Sequence, residues 1–255
     1  MNFLSAFHTD IGTRKSVNQD ALMLKHASTP AGRVVFAVLC DGMGGLKMGE
    51  MASAFVINAF AAWFDTEMPA ITAGVVNFDY IRSRWDQIVR DNAFKIMQYG
   101  AQRQLSLGTT LTALLIVENS FICAHVGDSR IYRITTGLEQ LTKDHSLVQH
   151  EVEQGRLTPD QAKVDSRRNV LLQCIGASKK VAAEFLVGQV APGQLFMLCS
   201  DGFHHELTEQ ELVNALSPSN FSDERTMKNT LISLVDTVKQ RGETDNISVI
   251  TVESV

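Results

Sequence analysis

The sequence predicts an α+β protein in which antiparallel sheets are covered by helices. Short apolar runs follow one another through turn residues, as in hairpins, and the helical segments are grouped in two blocks. Hairpin-linked strands pair in antiparallel fashion, and grouped helices are typical of the α+β class. The 255 residues, 45% of them hydrophobic, are enough to bury a sizeable core, so we expect a single domain over residues 1–255.

The first half of the chain predicts strands, then two helices, then a strand meander. Apolar runs predict the first strands at residues 3–7, 21–25 and 33–40. Residues 48–64 are Ala-rich and residues 79–99 place Ile81, Trp85 and Ile88 at helical spacing, so both predict helices. The meander strands are expected at residues 109–117, 121–126 and 130–134.

The second half begins with a segment of different character, residues 142–181, which predicts a small helical insertion. Asp144 is a candidate cap of a short helix that ends before Gly155. Thr158 and Gln161 form a capping box, with Pro159 at the first helical position. Beyond the insertion we expect strands at 183–190, 194–200 and 247–252, a helix opened by Thr208, and a longer helix at 222–241.

Charge and cysteine content limit the class of protein. The formal net charge is −5 with no basic block, which argues against binding to nucleic acid or to an anionic membrane surface. The start of the chain lacks a targeting pattern and its apolar runs are too short to span a bilayer, so we expect a cytoplasmic protein. The four cysteines form no CxxC pair and are interpreted as buried free thiols.

Four Asp residues that each adjoin Gly or Asn recur far apart in the chain: Asp41, Asp128, Asp201 and Asp245. Three of them directly adjoin an apolar run that predicts a buried strand, so their carboxylates can converge at one end of a sheet. Magnesium and manganese prefer such oxygen ligands. An ordinary turn or a helix cap explains each Asp taken alone. Their joint occurrence favours a metal site.

Eight short motifs surround these Asp residues and follow one another along nearly the whole chain. They are TDIGTR with NQD (9–20), CDGMGG (40–45), GEMAS (49–53), LGTTLT (107–112), VGDSRIY (126–132), LTKDHS (141–146), CSDGF (199–203) and TDNISV (244–249). In this order they resemble the motifs of the metal-dependent protein phosphatases of type 2C in their compact bacterial form. Any one motif would be weak evidence, but eight in the right order are specific.

The resemblance implies two stacked antiparallel β-sheets flanked by α-helices and a site for two Mn or Mg ions. It implies that Asp41 bridges the two ions, that Gly42 supplies its backbone carbonyl, and that Asp201 and Asp245 complete the first ion's ligands. Asp20 would act through water. Asp128, with Asp201, matches a weaker third metal position of bacterial members. The segment 142–181 resembles the flap beside the active site.

Arg14 matches the phosphate-binding arginine of the family, and a planar guanidinium suits bidentate capture of a phosphate dianion. A solvated loop arginine is the alternative. Met43 and Leu46 stand where many members of the family have His, so the resemblance assigns no general acid. His204 and His205 are candidates for that role, although imidazoles at a helix entry are commonly surface groups.

The function that the resemblance implies is hydrolysis of phosphoserine and phosphothreonine in proteins by a metal-activated bridging water. The expected partner is a serine/threonine kinase or its phosphorylated target, and the expected state is a monomer. The alternative from another class is a catalytically inactive module of the same fold that binds phosphoproteins. Retention of Asp41, Gly42, Asp201 and Asp245 favours the enzyme, because loss of function would be expected to remove metal ligands first.

Overall fold

The computed structural model describes residues 1–44 and 48–255. The strands are β1 (Phe3–Asp10), β2 (Asp20–Thr29), β3 (Gly32–Gly44), β4 (Leu107–Thr109), β5 (Leu111–Val117), β6 (Ser120–Val126), β7 (Arg130–Ile134), β8 (Leu138–Gln140), β9 (Glu184–Gln189), β10 (Leu195–Cys199) and β11 (Ile247–Ser254). The helices are α1 (Gly49–Ile71), α2 (Phe78–Arg103), α3 (Leu147–Glu153), α4 (Pro159–Val164), α5 (Asp201–His204), α6 (Glu209–Leu216) and α7 (Glu224–Gln240). No helix in the described ranges combines the length and apolar character needed to cross a membrane.

The strands form two antiparallel sheets, which confirms the predicted α+β class. The first sheet has the order β1-β11-β10-β7-β8. The second has the order β2-β3-β5-β6-β9, with β4 paired to β3 beside this path. The chain termini therefore meet, because the first strand β1 pairs with the last strand β11 along its whole length.

Three layers of apolar side chains pack between the sheets and the helices. One layer joins α1 and α2 to the second sheet, where the Phe36 ring lies 5.4 Å from Trp85 and 5.6 Å from Trp63. The middle layer joins the two sheets, and there the rings of Phe121 and Phe196 lie 5.2 Å apart. The third layer joins the first sheet to α6 and α7. The order of layers is thus helices, sheet, sheet, helices.

Both long N-terminal helices extend beyond their predicted ends. Helix α1 continues through Pro69 to Ile71, and α2 continues through Gly100 to Arg103. Gln104, in the left-handed conformation at φ 56°, ends α2 and donates its backbone N–H to the carbonyls of Ala101 and Gly100. The helix was predicted to end at residue 99, before Gly100, but the left-handed cap residue is Gln104.

The segment 142–181 contains two short helices, α3 and α4, and the capping box of Thr158 is present. The prediction that Asp144 caps α3 is wrong. Ser146 accepts from the Gln149 backbone N–H at 3.2 Å, whereas Asp144 accepts two hydrogen bonds from Arg130, at 2.9 and 2.7 Å. Arg130 is fourteen residues away, so sequence spacing alone could not reveal this competing partner.

The strand predicted at residues 109–117 is divided at Thr110 into β4 and β5. The residues at this division form hydrogen bonds with the main chain of Asp41. The Thr110 hydroxyl accepts from the Asp41 N–H at 2.8 Å, and the Thr110 N–H donates to the Asp41 carbonyl at 2.9 Å. The Thr109 hydroxyl donates to the same carbonyl at 2.9 Å. The end of β3 is therefore fixed by three hydrogen bonds from the junction of β4 and β5.

We predict that Thr110→Val destabilises the fold by about 1–3 kcal/mol, because it leaves the buried N–H of Asp41 without an acceptor. Urea unfolding measures the effect. The matched control is Thr237→Val, which removes an exposed hydroxyl that donates only to the Ser233 carbonyl, and should change stability by less than about 0.5 kcal/mol. Equal losses in the two variants would contradict the role given to Thr110.

The side chain of Glu253, in β11, is buried. The residue is 4% exposed, and its Oε2 has no hydrogen-bond partner among the described residues. Burial raises the pKa of Glu253 to about 7. The folded state then holds the proton more tightly than the unfolded state. Protonated Glu253 therefore contributes its full share of stability at pH values below the ordinary pKa of a Glu side chain. This share is lost as pH rises through the folded-state pKa of about 7.

We therefore expect Glu253→Gln to be more stable than the wild type at pH 8, by about 1–2 kcal/mol, and to lose this advantage at pH 5. The measurement is the difference in unfolding free energy between variant and wild type at both pH values. Glu118→Gln, at an exposed turn, is the control. An advantage of Glu253→Gln that did not depend on pH would count against the buried acid.

Candidate active site

Carboxylates from both sheets meet at one end of the molecule. Asp20 opens β2 and lies directly opposite Asp41 of β3 in the strand register. Asp201 begins α5, two positions after the end of β10, and Asp245 lies two positions before the start of β11. Asp128 lies in the turn between β6 and β7. The structure thus brings together the five acidic residues that the sequence analysis assigned to metal binding.

These acids lie close enough to affect one another's ionisation. Burial raises the pKa of Asp20 to about 7, and repulsion from Asp201 and Asp245 contributes to the rise. Burial, followed by repulsion from Asp20 and Asp201, raises the pKa of Asp41 well above its ordinary value. The pKa of Asp128 is also raised well above its ordinary value by burial and by Asp201. These groups need an opposing positive charge to stay ionised together near neutral pH.

The residues present suit a divalent cation. Both carboxylate oxygens of Asp20 are buried without a well-formed hydrogen bond, although Ser200 and Ser248 lie near enough to favour its charged form. Within the described residues, no three His, Cys, Asp or Glu side chains form a group that could hold one ion by themselves. Mg²⁺ commonly uses only one or two carboxylates and keeps several waters. The donor set is therefore compatible with a metal held by carboxylates, a backbone carbonyl and water.

Gly42 is required at its position because another chain segment crosses it closely. A Cβ atom on Gly42 would lie 2.2 Å from the Gly49 carbonyl oxygen and 2.6 Å from that of Gln19. A Cβ atom on Gly49 would in turn lie 2.6 Å from the Gly42 carbonyl oxygen. The two glycines let the start of α1 pack directly on the backbone that follows Asp41, so the sequence position of both has a steric cause.

Lys15, rather than Arg14, contacts the acidic cluster. Its ammonium nitrogen lies 2.7 Å from Oδ1 of Asp245. Arg14 is exposed and makes no hydrogen bond or ion pair with another described residue. No role was predicted for Lys15 from the sequence. The basic character of the Arg14-Lys15 pair was the available signal, but it could not show which side chain turns towards the carboxylates.

Two further residues that the sequence analysis did not single out shape the loop around Asp245. Asn246 accepts from the Gln19 N–H at 2.9 Å and donates to the carbonyls of Ile11 and Val17. The buried carboxylate of Glu243 accepts from the N–H groups of Thr244 and Asp245. Asn246 thereby fixes the loop that carries Lys15, and Glu243 fixes the turn that carries Asp245.

The histidine candidates for a general acid differ in their surroundings. His204 is 7% exposed and its Nε2 has no partner among the described residues, and burial lowers its pKa well below the ordinary value. Burial therefore works against the charged form of His204 that a proton donor requires. His205 is less buried, with Nδ1 3.9 Å from the Glu243 carboxylate. Met43 lies at the end of β3, and Leu46 lies outside the described residues.

Comparison with known proteins places this geometry in a family. The model of the family described as protein phosphatase 2C matches residues 11–244. Protein phosphatase PhpP of Streptococcus pneumoniae is 32% identical over 248 residues, which cover 94% of this chain and 93% of that protein.

Solved structures agree with these sequence matches. The serine/threonine phosphatase of S. agalactiae superposes with a TM-score of 0.82 at 30% identity, with complete coverage of both chains. The catalytic domain of the serine threonine protein phosphatase PstP in complex with two manganese ions superposes with a TM-score of 0.79 at 28% identity, covering 98% of this chain and 97% of that one. Given the motifs, the paired sheets and the acidic cluster, the chain belongs to the protein phosphatase 2C family.

Proposed function

We propose that this protein hydrolyses phosphoserine and phosphothreonine in phosphorylated proteins and depends on a divalent metal for the reaction. The observation that carries the proposal is the cluster of buried and half-buried, mutually repelling carboxylates around Asp20, a residue whose two side-chain oxygens have no well-formed hydrogen bond among the described residues. Membership of the protein phosphatase 2C family supports the same reaction, because its relatives include proteins named serine/threonine phosphatases.

We assign the ligands as in the family resemblance. Asp41 would bridge two ions, the Gly42 carbonyl would bind one of them, and Asp201 and Asp245 would complete the ligands of the first. Asp20 would act through water, and Asp128 with Asp201 would hold a third, weaker ion. The bound ions, Mn²⁺ or Mg²⁺, would supply an activated water and neutralise charge on the transferring phosphoryl group.

The chain's own residues would have three tasks in this reaction. The carboxylates would hold the divalent ions, which supply positive charge beside the phosphoryl group. The hydrogen bonds from Thr109 and Thr110 keep the backbone at Asp41 in place, which preserves the relation between that carboxylate and Gly42. We propose that Arg14, which is exposed and unpaired among the described residues, binds the phosphate oxygens of the substrate through its planar guanidinium.

Partner, compartment and oligomeric state are also proposals. We propose that the protein opposes a serine/threonine kinase, acts as a monomer in the cytoplasm and uses residues 142–181 as a flap beside the site. The four free, buried cysteines agree with a reducing compartment. The hydrogen bond from the His145 N–H to the Gly127 carbonyl, at 2.7 Å, supports the place of the flap, because Gly127 adjoins Asp128.

The first test is hydrolysis of a phosphothreonine peptide with Mn²⁺, with Mg²⁺ and with a chelator. We expect metal-dependent turnover in the wild type, and a loss of about 100-fold or more in Asp201→Asn, since the substitution removes a charge that holds the metal. Asp65→Asn is the control, because it removes an equal charge from the exposed face of α1. Turnover that survives the chelator would disprove metal dependence. A folded protein that binds the peptide without turnover would support the inactive binding module.

The second test concerns substrate capture by Arg14. We predict that Arg14→Ala raises KM for the phosphopeptide by about 10-fold with a smaller change in kcat, because a bidentate contact to phosphate is lost. Arg14→Lys should recover only part of this loss, since an ammonium lacks the planar fork of donors. Arg33→Ala, at an exposed position of β3, is the control. An unchanged KM in Arg14→Ala would remove Arg14 from the phosphate site.

A further inference from the structure

The contact between Lys15 and Asp245 is held by the surrounding loop. Lys15 lies in the connection between β1 and β2, and the Asn246 side chain donates to carbonyls on both sides of it, at Ile11 and Val17. Gly12, at φ 79°, packs so closely on this turn that an added Cβ would lie 1.9 Å from the Asp245 carbonyl oxygen. The loop that carries Lys15 is therefore fixed against the turn that carries Asp245.

The acidic side chains around Lys15 are the same ones that the proposed metal site would use. The Lys15 ammonium is bound to Asp245, and Asp41 and Asp201 lie near enough to attract it as well. These are three of the carboxylates assigned to the metal. The Oδ1 atom of Asp245 that accepts from Lys15 at 2.7 Å also accepts from the Asn246 N–H at 2.7 Å. An ammonium on Oδ1 occupies this oxygen and neutralises the carboxylate, and both effects oppose the binding of a metal ion to Asp245.

We propose that Lys15 is an internal competitor of the metal: its ammonium neutralises Asp245 and is displaced when a divalent ion binds, so that Lys15 sets the metal affinity. The inference rests on the proposed metal site and deepens it, because it names the residue that regulates occupancy. Lys15 would also lower the repulsion among the carboxylates whenever metal is scarce, and so stabilise the fold under those conditions.

The adjacent residue provides the matched control. Arg14 carries the same charge one position away, but makes no ion pair with a described residue. Removing either side chain lowers the positive charge of the loop equally. Only the removal of Lys15 frees an oxygen of Asp245. A difference between Lys15→Met and Arg14→Met therefore isolates the direct contact from the general field of the loop.

The experiment is calorimetric titration of the full chain with Mn²⁺ alone, in the absence of any phosphopeptide. We expect Lys15→Met to bind Mn²⁺ about 3- to 5-fold more tightly than the wild type, which corresponds to the loss of one competing, partly exposed ion pair. Arg14→Met should change the affinity less than about 2-fold. Lys15→Arg keeps a cation in reach of Asp245 and should bind like the wild type.

Thermal unfolding supplies a second readout. In chelator, Lys15→Met should unfold at a lower temperature than the wild type, because Asp245 has lost its partner, and Mn²⁺ should raise its Tm by more than it raises that of the wild type. Equal or weaker Mn²⁺ binding by Lys15→Met, with a wild type that binds, would overturn the inference and leave the proposed phosphatase intact. Absence of Mn²⁺ binding in both proteins would overturn the metal site itself and the inference with it.

Discussion

Asp20, Asp41, Asp128 and Asp201 repel one another in a part of the molecule where water screens their charges poorly. Each of them sits at the end of a strand or beside one, so their distances are set by how the two sheets stack. Repulsion of this kind opposes folding unless the carboxylates are protonated or neutralised by cations. The remaining features of this end of the molecule can be understood as means of holding these acids in place.

Neutral groups do much of that work. The hydroxyls of Thr109 and Thr110 bind the backbone of Asp41, and the N–H of Gly202 binds the carboxylate of Asp201 at 2.6 Å. Asn246 joins the β1–β2 loop to β11, which ties Gln19, the neighbour of Asp20, to the turn that carries Asp245. Such contacts fix the positions of the acids without adding to their charge. The acids of the site can therefore be held in defined positions although their negative charges are not neutralised by these contacts.

The positively charged side chains near the site differ in what they contact. Lys15 engages an acid, whereas Arg14 extends into solvent from the same loop. Arg130 is bound by Asp144 and by Tyr132, so its charge acts on the region of Asp128 from a fixed position. Within residues 142–181, Arg167 pairs with Asp165 at 2.8 Å. Positive charge is thus placed beside the carboxylates by specific ion pairs, in a chain whose net charge is negative.

The sequence by itself determined the class of the fold, most of the strand and helix order, and the candidate acidic residues, but it did not predict β8 or α5. The continuous apolar run before Asp41 predicts a buried strand, and the motif order predicts which Asp residues converge, because both are local patterns. The tertiary structure alone decided the break at Thr110, the partner of Asp144, the burial of Glu253 and the choice of Lys15 over Arg14 as the partner of Asp245. These features depend on contacts between residues far apart in the chain, and the free energy of such contacts is set by stacked sheets and packed loops rather than by any one segment.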